Sequence, residues 1–358
     1  MRIALLGLPG CGKTTVFNAM ADRPVEVPPG LLQTETHVQV VRVHDPRLDR
    51  CREIFRPKKF TPAGLELWDP PGVALGAGEH EVERRTRLFA SLREADAYVL
   101  VVRDFTTDRY PYDRPAPDPA ADLERLTGEL VTADFVVAEG RRGKLLENIR
   151  RGARTKDEDQ KERAVIEKCL ARLEAGLSLL DLELDEADDK RIRGFQFFSR
   201  KPHLVLVNGA DPRPDALAIE APVEIRARLG LDAALEAELA ALEPEERSVF
   251  MEEFGIEEPA SDRLVHEIYR AVGLRSFFTV GEDEVRAWTI RAGDSAVEAA
   301  GRIHTDLARG FIRAEVYRYE DLAEAGSEKE VKARGLLRLE GKNYVVQDGE
   351  IVHIRSGI

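Results

Sequence analysis

The sequence contains few cysteines and no long apolar run. Its three cysteines, Cys11, Cys51 and Cys169, lie far apart and never in C-x-x-C spacing. Such an arrangement gives neither a disulfide framework nor a zinc site. No apolar stretch approaches the roughly 20 residues of a membrane-spanning helix, and the first three residues lead directly into a strand rather than into a cleavable signal. We therefore expect a cytoplasmic protein that neither enters a membrane nor carries disulfides.

Positive charge is also in the minority. Lysine and arginine number 53, against 66 aspartates and glutamates, and the net charge is −13. An acidic total argues against a protein that binds nucleic acid mainly through electrostatics, although a basic face on one domain would not show in that total. The 358 residues are enough to bury a sizeable core, and they predict two or three domains.

What the sequence does contain is a phosphate-binding loop close to its start. Residues 7–14 fit the pattern G-x-x-x-x-G-K-[ST], between an apolar run at 3–6 and a helical pattern from residue 15. In such a loop backbone N–H groups surround the phosphates, the lysine reaches the β- and γ-phosphates, and the hydroxyl binds Mg²⁺. Cys11 is interpreted either as a redox-sensitive thiol or as a small residue that fits the loop. The predicted nucleotide-binding residues are Pro9, Gly10, Cys11, Gly12, Lys13, Thr14 and Thr15.

Two further segments predict the remainder of a magnesium–nucleotide site. Thr34, or as second choice Thr36, precedes a predicted strand at 37–43 and can offer a hydroxyl to Mg²⁺, although each could equally be a solvent-facing turn residue. Asp69 and Gly72 read as D-x-x-G, in which the carboxylate holds Mg²⁺ through water and the glycine N–H senses the γ-phosphate. Val73 stands where Ras-like enzymes carry the glutamine that orients water. Hydrolysis is therefore slow, or it uses another group.

A base-binding site is predicted at the end of a later strand. The apolar runs at 97–103 and 203–207 are typical of parallel strands that are buried on both faces. Asn208 and Asp211 follow the second run. Their types suit base recognition, with the amide tying loops together and the carboxylate accepting a hydrogen bond from the base.

Two other regions differ in character from this domain. Leucine and other apolar residues recur at steps of three and four over 123–137 and again over 166–184. This pattern predicts an antiparallel coiled-coil hairpin, or alternatively two amphipathic helices packed on the sheet. Residues 217–273 read as helical, and short strands at 277–280, 285–290, 344–346 and 351–354 indicate a separate β-rich domain. We therefore predict a nucleotide-binding domain at 1–120 and 200–275, an inserted helical arm at 121–199, and a β-rich domain at 276–358.

With these pieces in order, the chain resembles the YchF family of Obg-like ATPases over essentially its whole length. The most specific similarity is in the segments that begin at Phe278, Ala300, Gly310 and Leu339, which look like the family's TGS domain. The resemblance implies an α/β P-loop NTPase domain of the Obg-related GTPase class, with an inserted antiparallel coiled-coil arm and a C-terminal β-grasp (TGS) domain. It also implies slow ATP hydrolysis with Mg²⁺ and association with ribosomes.

The loops of the predicted site depart from the family pattern. Cys11 and the glycine before it replace an Asn-Val pair whose asparagine is linked to potassium-assisted hydrolysis, so potassium dependence is in doubt. Two prolines fill the middle of the D-x-x-G turn, where they remove N–H groups. Tyr112 stands where the family has a histidine that positions water, and tyrosine is a poor base at neutral pH. We therefore name Lys13, Gly72 and Tyr112 as the predicted catalytic residues.

The nucleotide preference stays open between ATP and GTP, with ATP favoured. The family reads adenine with N-x-x-E, whereas this chain ends the motif in Asp211, as GTPases do in N-K-x-D. Gly209, however, replaces the lysine of the GTPases, which weakens the guanine interpretation.

The leading hypothesis is a slow nucleotide switch that regulates ribosome or RNA association. The alternatives are a GTP-preferring GTPase and a nucleotide-gated ribosome- or RNA-binding adaptor with negligible hydrolysis. A metabolic kinase would leave the arm and the β-rich tail unexplained. We expect a monomer. The candidates for RNA contact are Lys144, Arg150, Arg151 and Arg154 near the hairpin tip, and Arg302, His304, Arg309, Arg313 and Lys342 in the last domain, which could equally form a solvated charged face.

Overall fold

The computed structural model describes residues 1–20, 25, 33–107, 114–152, 155–212, 223–253, 256 and 258–357. The described strands are β1 (Arg2–Leu6), β2 (His37–Val43), β3 (Lys59–Thr61), β4 (Ala63–Asp69), β5 (Ala97–Arg103), β6 (His203–Asn208), β7 (Ile225–Leu231), β8 (Leu274–Thr279), β9 (Glu284–Arg291), β10 (Phe311–Arg318), β11 (Arg338–Glu340) and β12 (Glu350–Ser356).

The described α-helices are α1 (Lys13–Ala19), α2 (Pro46–Phe55), α3 (Glu79–Leu92), α4 (Pro119–Arg150), α5 (Lys156–Glu174), α6 (Glu186–Ile192), α7 (Ala233–Ala241), α8 (Pro244–Glu253), α9 (Ala260–Ala271), α10 (Ala296–Ile303), α11 (Thr305–Arg309), α12 (Tyr319–Ala325) and α13 (Glu328–Ala333). Within the described ranges, none of these helices combines the length and the apolar content that a bilayer span requires.

The contacts divide the chain into two compact units. The first contains Met1–Gln39 and Glu66–Ser261, and the second contains Val40–Leu65 and Asp262–Ile358. Nothing in the composition indicates that the segment 40–65 belongs with the C-terminal part of the chain. The boundaries at 121, 200 and 276 that the sequence suggests stay a prediction.

A six-stranded sheet in the order β2-β4-β1-β5-β6-β7 positions the predicted nucleotide loops. The pairs β1–β4, β1–β5, β5–β6 and β6–β7 are all parallel. Every residue of β5 and β6 is buried, which explains why both read as continuous apolar runs. Because parallel strands end at the same edge, the loops after β1, β4 and β6 meet there.

The helical interpretation of 217–273 is wrong for Ile225–Leu231. This segment is β7, which pairs with β6 in parallel from Leu204–Ala227 to Asn208–Leu231. Its apolar and charged residues alternate with the period of two that a half-exposed strand requires. The alanine- and leucine-rich helices that follow it dominate the composition of the region and conceal that alternation.

The helical arm is confirmed as two long helices that lie side by side. Arg141 of α4 donates two hydrogen bonds of 2.7 Å to the carboxylate of Glu162 in α5. Since a short connection joins the helices, they are antiparallel. The second predicted arm helix, drawn from the apolar pattern over 166–184, is too long, because α5 ends at Glu174. Gly176 adopts a left-handed conformation with φ of 67°, and the Leu177 N–H donates to Arg172 O over 2.9 Å, which closes the last turn.

The two interpretations of the apolar pattern, helices packed on the sheet and helices paired with each other, apply to different parts of α4. Leu123, Leu126 and Leu130 pack into the core beneath the sheet. Farther along, Ala138 and Leu145 pack against α5 in a separate cluster. The amphipathic face of one helix therefore covers the sheet at its beginning and forms the arm at its end.

The second unit contains a mixed sheet in the order β11-β10-β12-β8-β9-β3. β10 pairs antiparallel with β12, and β8 pairs with β12 in parallel and with β9 antiparallel. The strand predicted at 344–346 is wrong, because Val345 makes only an isolated bridge with Ser295. Val346 is instead fully buried in the cluster of this unit, and its N–H donates to Asp294 O over 3.2 Å.

A buried histidine makes the first unit sensitive to acid. His203 at the start of β6 is fully buried, and its ring lies 5.3 Å from the ring of Tyr98. Burial lowers the pKa of His203 from 6.5 to about 3. The folded ring therefore stays neutral where the unfolded chain binds a proton, and stability is lost as the pH falls below the unfolded pKa.

We expect the wild type to lose about 2 kcal/mol more stability than His203→Phe between pH 7 and pH 5, from the difference in protons bound. Denaturant unfolding of both proteins at the two pH values measures this difference. The control is Phe198→Leu, a change in the same core that removes no titratable group. It should lower stability at both pH values and keep the wild-type pH dependence. Equal losses in the wild type and His203→Phe would contradict the assignment.

Candidate nucleotide-binding site

The phosphate loop follows β1, and two of its glycines have no room for a side chain. Gly12 precedes α1 in a left-handed conformation with φ of 91°, and a Cβ atom there would lie 2.1 Å from Asn208 Nδ2. A Cβ on Gly7 would lie 2.6 Å from the carbonyl oxygen of Val101. These close approaches let the loop turn its backbone around an anion.

Cys11 is a packing residue of this loop. Its side chain is buried, and a Cβ atom on Gly7 would lie 2.4 Å from its Sγ. Burial raises the pKa of the Cys11 thiol. A buried protonated thiol is a weak nucleophile, so the structure favours the small-residue interpretation over the redox-sensitive one.

A buried carboxylate lies beside the loop at the end of β4. Asp69 is fully buried, and its Oδ2 accepts a 2.7 Å hydrogen bond from Thr14 Oγ1. Burial raises the pKa of Asp69, and the charge of Lys13 and the hydrogen bond from Thr14 partly oppose that increase. Its Oδ1 is buried and has no hydrogen-bond partner among the described residues.

These oxygens fit a magnesium ion. A buried carboxylate oxygen without a partner is costly unless a donor or cation satisfies it. Mg²⁺ prefers oxygen ligands, and one carboxylate and one hydroxyl together with substrate phosphates are its usual set in nucleotide sites. Asp69 and Thr14 would hold the ion here, next to the buried ammonium group of Lys13.

Gln33 also belongs to this cluster, although no motif in the sequence indicates it. Thr14 Oγ1 lies 3.1 Å from Gln33 Oε1, while Gln33 Nε2 donates over 2.6 Å to the carbonyl oxygen of Asp69. The predicted ligand Thr34 is instead exposed, and it lines a cavity together with Thr36 and Gly72. Gln33 is an amide that contacts Thr14 and the backbone of Asp69, and it is not a hydroxyl or carboxylate ligand of the kind that the motifs indicate.

The turn after Asp69 places Gly72 against the phosphate loop. A Cβ atom on Gly72 would lie 3.0 Å from both the N and the Cα of Pro9. Val73 donates its N–H to the carbonyl oxygen of Gly7 over 2.9 Å, and its side chain is fully buried in the core. The position that carries a water-orienting glutamine in Ras-like enzymes therefore faces away from any substrate.

Asn208 ties the phosphate loop to the segment after β7. Its Nδ2 donates over 3.1 Å to Cys11 O, and its Oδ1 accepts over 3.1 Å from the N–H of Ala233. Asp211, the predicted base-reading carboxylate, is exposed. A Cβ atom on Gly209 would lie 2.3 Å from the carbonyl oxygen of Asp104, so the structure has no room for the lysine that GTPases carry there.

Comparisons with known proteins show the family of this chain. The family model described as 50S ribosome-binding GTPase matches residues 2–131, and the YchF-GTPase_C model, described as a protein of unknown function, matches residues 274–357. "Ribosome-binding ATPase YchF" of Haemophilus ducreyi is 36% identical over 100% of this chain and 99% of its own length. The protein of the same name in Bacillus subtilis is 35% identical over 99% of this chain and 98% of its own length. The chain belongs to the YchF family.

The fold comparison confirms the predicted architecture. The structure of the Schizosaccharomyces pombe YchF GTPase matches 99% of this chain and 97% of its own, with a TM-score of 0.79 at 26% identity. The α/β fold and the YchF-type C-terminal part are therefore as the sequence predicts.

The remaining predicted residues are those of the water-positioning loop, the arm tip and the second unit. Tyr112 and Arg154 fall outside the described residues. At the arm tip Lys144 and Arg150 are exposed, and Arg151 pairs with Glu147. The five basic candidates of the second unit are all exposed, and two of them lie close to one carboxylate: Arg302, His304, Arg309, Arg313 and Lys342, with His304 3.5 Å and Arg309 3.8 Å from Asp306.

Asp69→Asn should separate magnesium binding from stability. The amide keeps an oxygen for the Thr14 hydrogen bond but removes the buried charge, so the melting temperature should not fall, whereas Mg²⁺-dependent nucleotide affinity should fall about tenfold or more. Titration of a fluorescent nucleotide with and without Mg²⁺, together with thermal denaturation, measures both. Glu66→Gln on the same strand is the control, since its carboxylate is partly exposed. An unchanged magnesium dependence in Asp69→Asn would remove Asp69 from the metal site.

Proposed function

We propose that this protein is a magnesium-dependent nucleoside-triphosphate hydrolase that hydrolyses ATP slowly and uses the bound nucleotide to regulate its association with the ribosome. The observation that carries the proposal is the cluster of Lys13, Thr14 and Asp69 at the mouth of the phosphate loop, with one buried carboxylate oxygen that lacks a partner in the described chain. The names of the curated relatives, ribosome-binding ATPases, support both parts. A ribosomal partner implies a cytoplasmic location.

Within the site, each residue of the chain has a distinct task. The loop backbone binds the phosphates, Lys13 neutralises the β- and γ-phosphates, and Gly72 offers its N–H to the γ-phosphate. Thr14 and Asp69 would hold Mg²⁺, with Thr34 available on the adjacent loop. When bound, the ion neutralises the charge that develops on the phosphates. With Val73 buried, water is oriented by some other group, so slow turnover is expected.

Adenine is the preferred base. Gly209 stands where GTPases carry the lysine of their base-recognition motif, and a Cβ atom there would lie 2.3 Å from Asp104 O, so no side chain fits. Asp211 then reads the exocyclic amine of adenine as an acceptor. Potassium should have little effect, because Gly10 supplies no side-chain oxygen.

Binding of fluorescent ATP and GTP analogues with Mg²⁺, combined with phosphate release, tests the function. ATP should bind about tenfold more tightly than GTP, and phosphate release should be slow and equal with and without potassium. Asp211→Ala should reduce the preference, whereas Asp181→Ala, an exposed carboxylate elsewhere in the unit, should not. Preference for GTP would reverse the base assignment. Binding without any release would favour the nucleotide-gated adaptor, to which the buried Val73 also points.

The arm tip is the proposed ribosome contact. Lys144, Arg150 and Arg151 lie within the last turns of α4 and its end, where the long helix carries them away from the core beneath the sheet. Basic groups grouped in this way suit RNA phosphates. The basic residues of the second unit are interspersed with acidic ones and form the weaker candidate.

Charge reversal at the arm tip should weaken ribosome binding. The triple variant Lys144→Glu, Arg150→Glu, Arg151→Glu should lose about tenfold or more in affinity and show a shallower salt dependence, because fewer phosphates are neutralised. Co-sedimentation with ribosomes at several salt concentrations measures this. The matched variant carries Arg302→Glu, Arg309→Glu and Lys342→Glu. A loss confined to that second variant would move the contact to the second unit and contradict the arm-tip assignment.

A further inference from the structure

A cavity of about 520 Å³ lies beside Gly72, within the first unit. Its walls include the switch threonines Thr34 and Thr36 and the turn residues Pro71 and Gly72. The γ-phosphate-sensing backbone of the proposed site therefore opens into a space large enough for a phosphate group and several waters.

One face of α3 forms the opposite wall of this cavity. The lining residues His80, Arg84, Leu88 and Ser91 follow one another at steps of four, four and three. Residues at these spacings share one face of a helix. An imidazole and a guanidinium, one turn apart, therefore line the same space as the backbone of Gly72.

Charge in the cavity is mainly positive. Three arginines line it: Arg84, Arg85 and Arg87. Among the described residues, Glu83 is the acidic residue in its lining. Arg85 is held by hydrogen bonds of 2.8 Å to Ala74 O and 3.3 Å to Gly76 O, and Arg87 pairs with Glu83.

Arg84 is the arginine of this cavity that has no partner among the described residues. It is exposed, and it makes no hydrogen bond or ion pair with any residue that the structure describes. A guanidinium presents donors in a planar fork that matches phosphate oxygens, and a charge supplied in this way from within the chain stabilises phosphoryl transfer.

We propose that α3 supplies the catalytic side chains that the Gly72–Val73 turn does not provide. Arg84 contacts the γ-phosphate, and His80 orients the attacking water. The inference rests on the proposed hydrolysis and deepens it by naming two further residues of that reaction. It accounts for a D-x-x-G turn whose following side chain is buried.

The reaction balances without any further reactant. The water oxygen forms a bond to the γ-phosphorus as the bond from that phosphorus to the β–γ bridging oxygen breaks, and the nucleoside diphosphate leaves with the bonding electrons. The protons of the water pass to the phosphate product and to solvent. A nitrogen of the His80 ring accepts a hydrogen bond from the water, and Arg84 neutralises the charge on the equatorial oxygens.

Single-turnover hydrolysis tests the inference, together with dissociation constants for ATP and ADP. Arg84→Ala should lower the rate of hydrolysis about tenfold or more and leave both dissociation constants within about threefold, since the contact acts mainly in the transition state. His80→Ala should lower the rate about tenfold, and His80→Gln, which keeps a hydrogen-bond acceptor, should restore part of it. Added guanidinium should partly rescue Arg84→Ala and have no effect on His80→Ala.

Arg87→Ala is the matched control, because Arg87 lines the same cavity on the same helix but is paired with Glu83. It should keep the wild-type rate. If the wild type hydrolyses ATP and both α3 variants keep its rate within twofold, or if Arg87→Ala loses as much as Arg84→Ala, the inference is overturned while the proposed function stands. If the wild type binds nucleotide and releases no phosphate, the proposed hydrolysis fails and the roles of both residues fail with it.

Discussion

The nucleotide site of the first unit is built around one buried carboxyl group. Asp69 is fully buried at the end of β4, where desolvation disfavours its ionised form. The hydroxyl of Thr14 and the ammonium group of Lys13 reduce that cost, and the amide of Gln33 fixes the surrounding backbone. Three separate stretches of chain therefore converge on one carboxylate. Together they form, at the edge of the parallel sheet, a site that a phosphate-bound cation would fit.

The polar contacts around that carboxylate continue into the rest of the nucleotide unit. Asn208 bridges Cys11 O and the N–H of Ala233, so that the loop after β1 and the segment after β7 share one amide. Glycine is required wherever these stretches approach each other most closely, as at Gly12 and Gly209. The same closeness that lets backbone groups surround phosphates leaves no room at Gly209 for the lysine of the GTPases.

The helix α3 joins the nucleotide site to the arm. It begins shortly after the Gly72 turn, Arg85 within it pairs with Glu129 of α4 over 3.0 Å, and Arg93 at its end pairs over 2.8 Å with the fully buried Asp134. Asp134 also accepts hydrogen bonds from the N–H groups of Phe198 and Ser199, where the chain returns from the arm. Removing one partner of a buried, hydrogen-bonded pair is costly, so a displacement of α3 must be accommodated by α4. The two ion pairs therefore connect α3, which follows the Gly72 turn, to the first half of α4.

The sequence by itself determined the elements whose chemistry is local. The phosphate loop, the D-x-x-G turn, the buried strands β5 and β6 and the paired arm helices all follow from spacing and periodicity within short windows, because each pattern reflects the burial of its own residues. Only the tertiary structure decided what depends on contacts between distant segments. It made 225–231 an edge strand beside β6, ended α5 at Glu174, brought Gln33 to Asp69, and set α3 against the cavity beside Gly72. The physical reason is that each of these outcomes depends on contacts between segments far apart in the sequence. Local spacing and periodicity carry no information about which distant segments pack together.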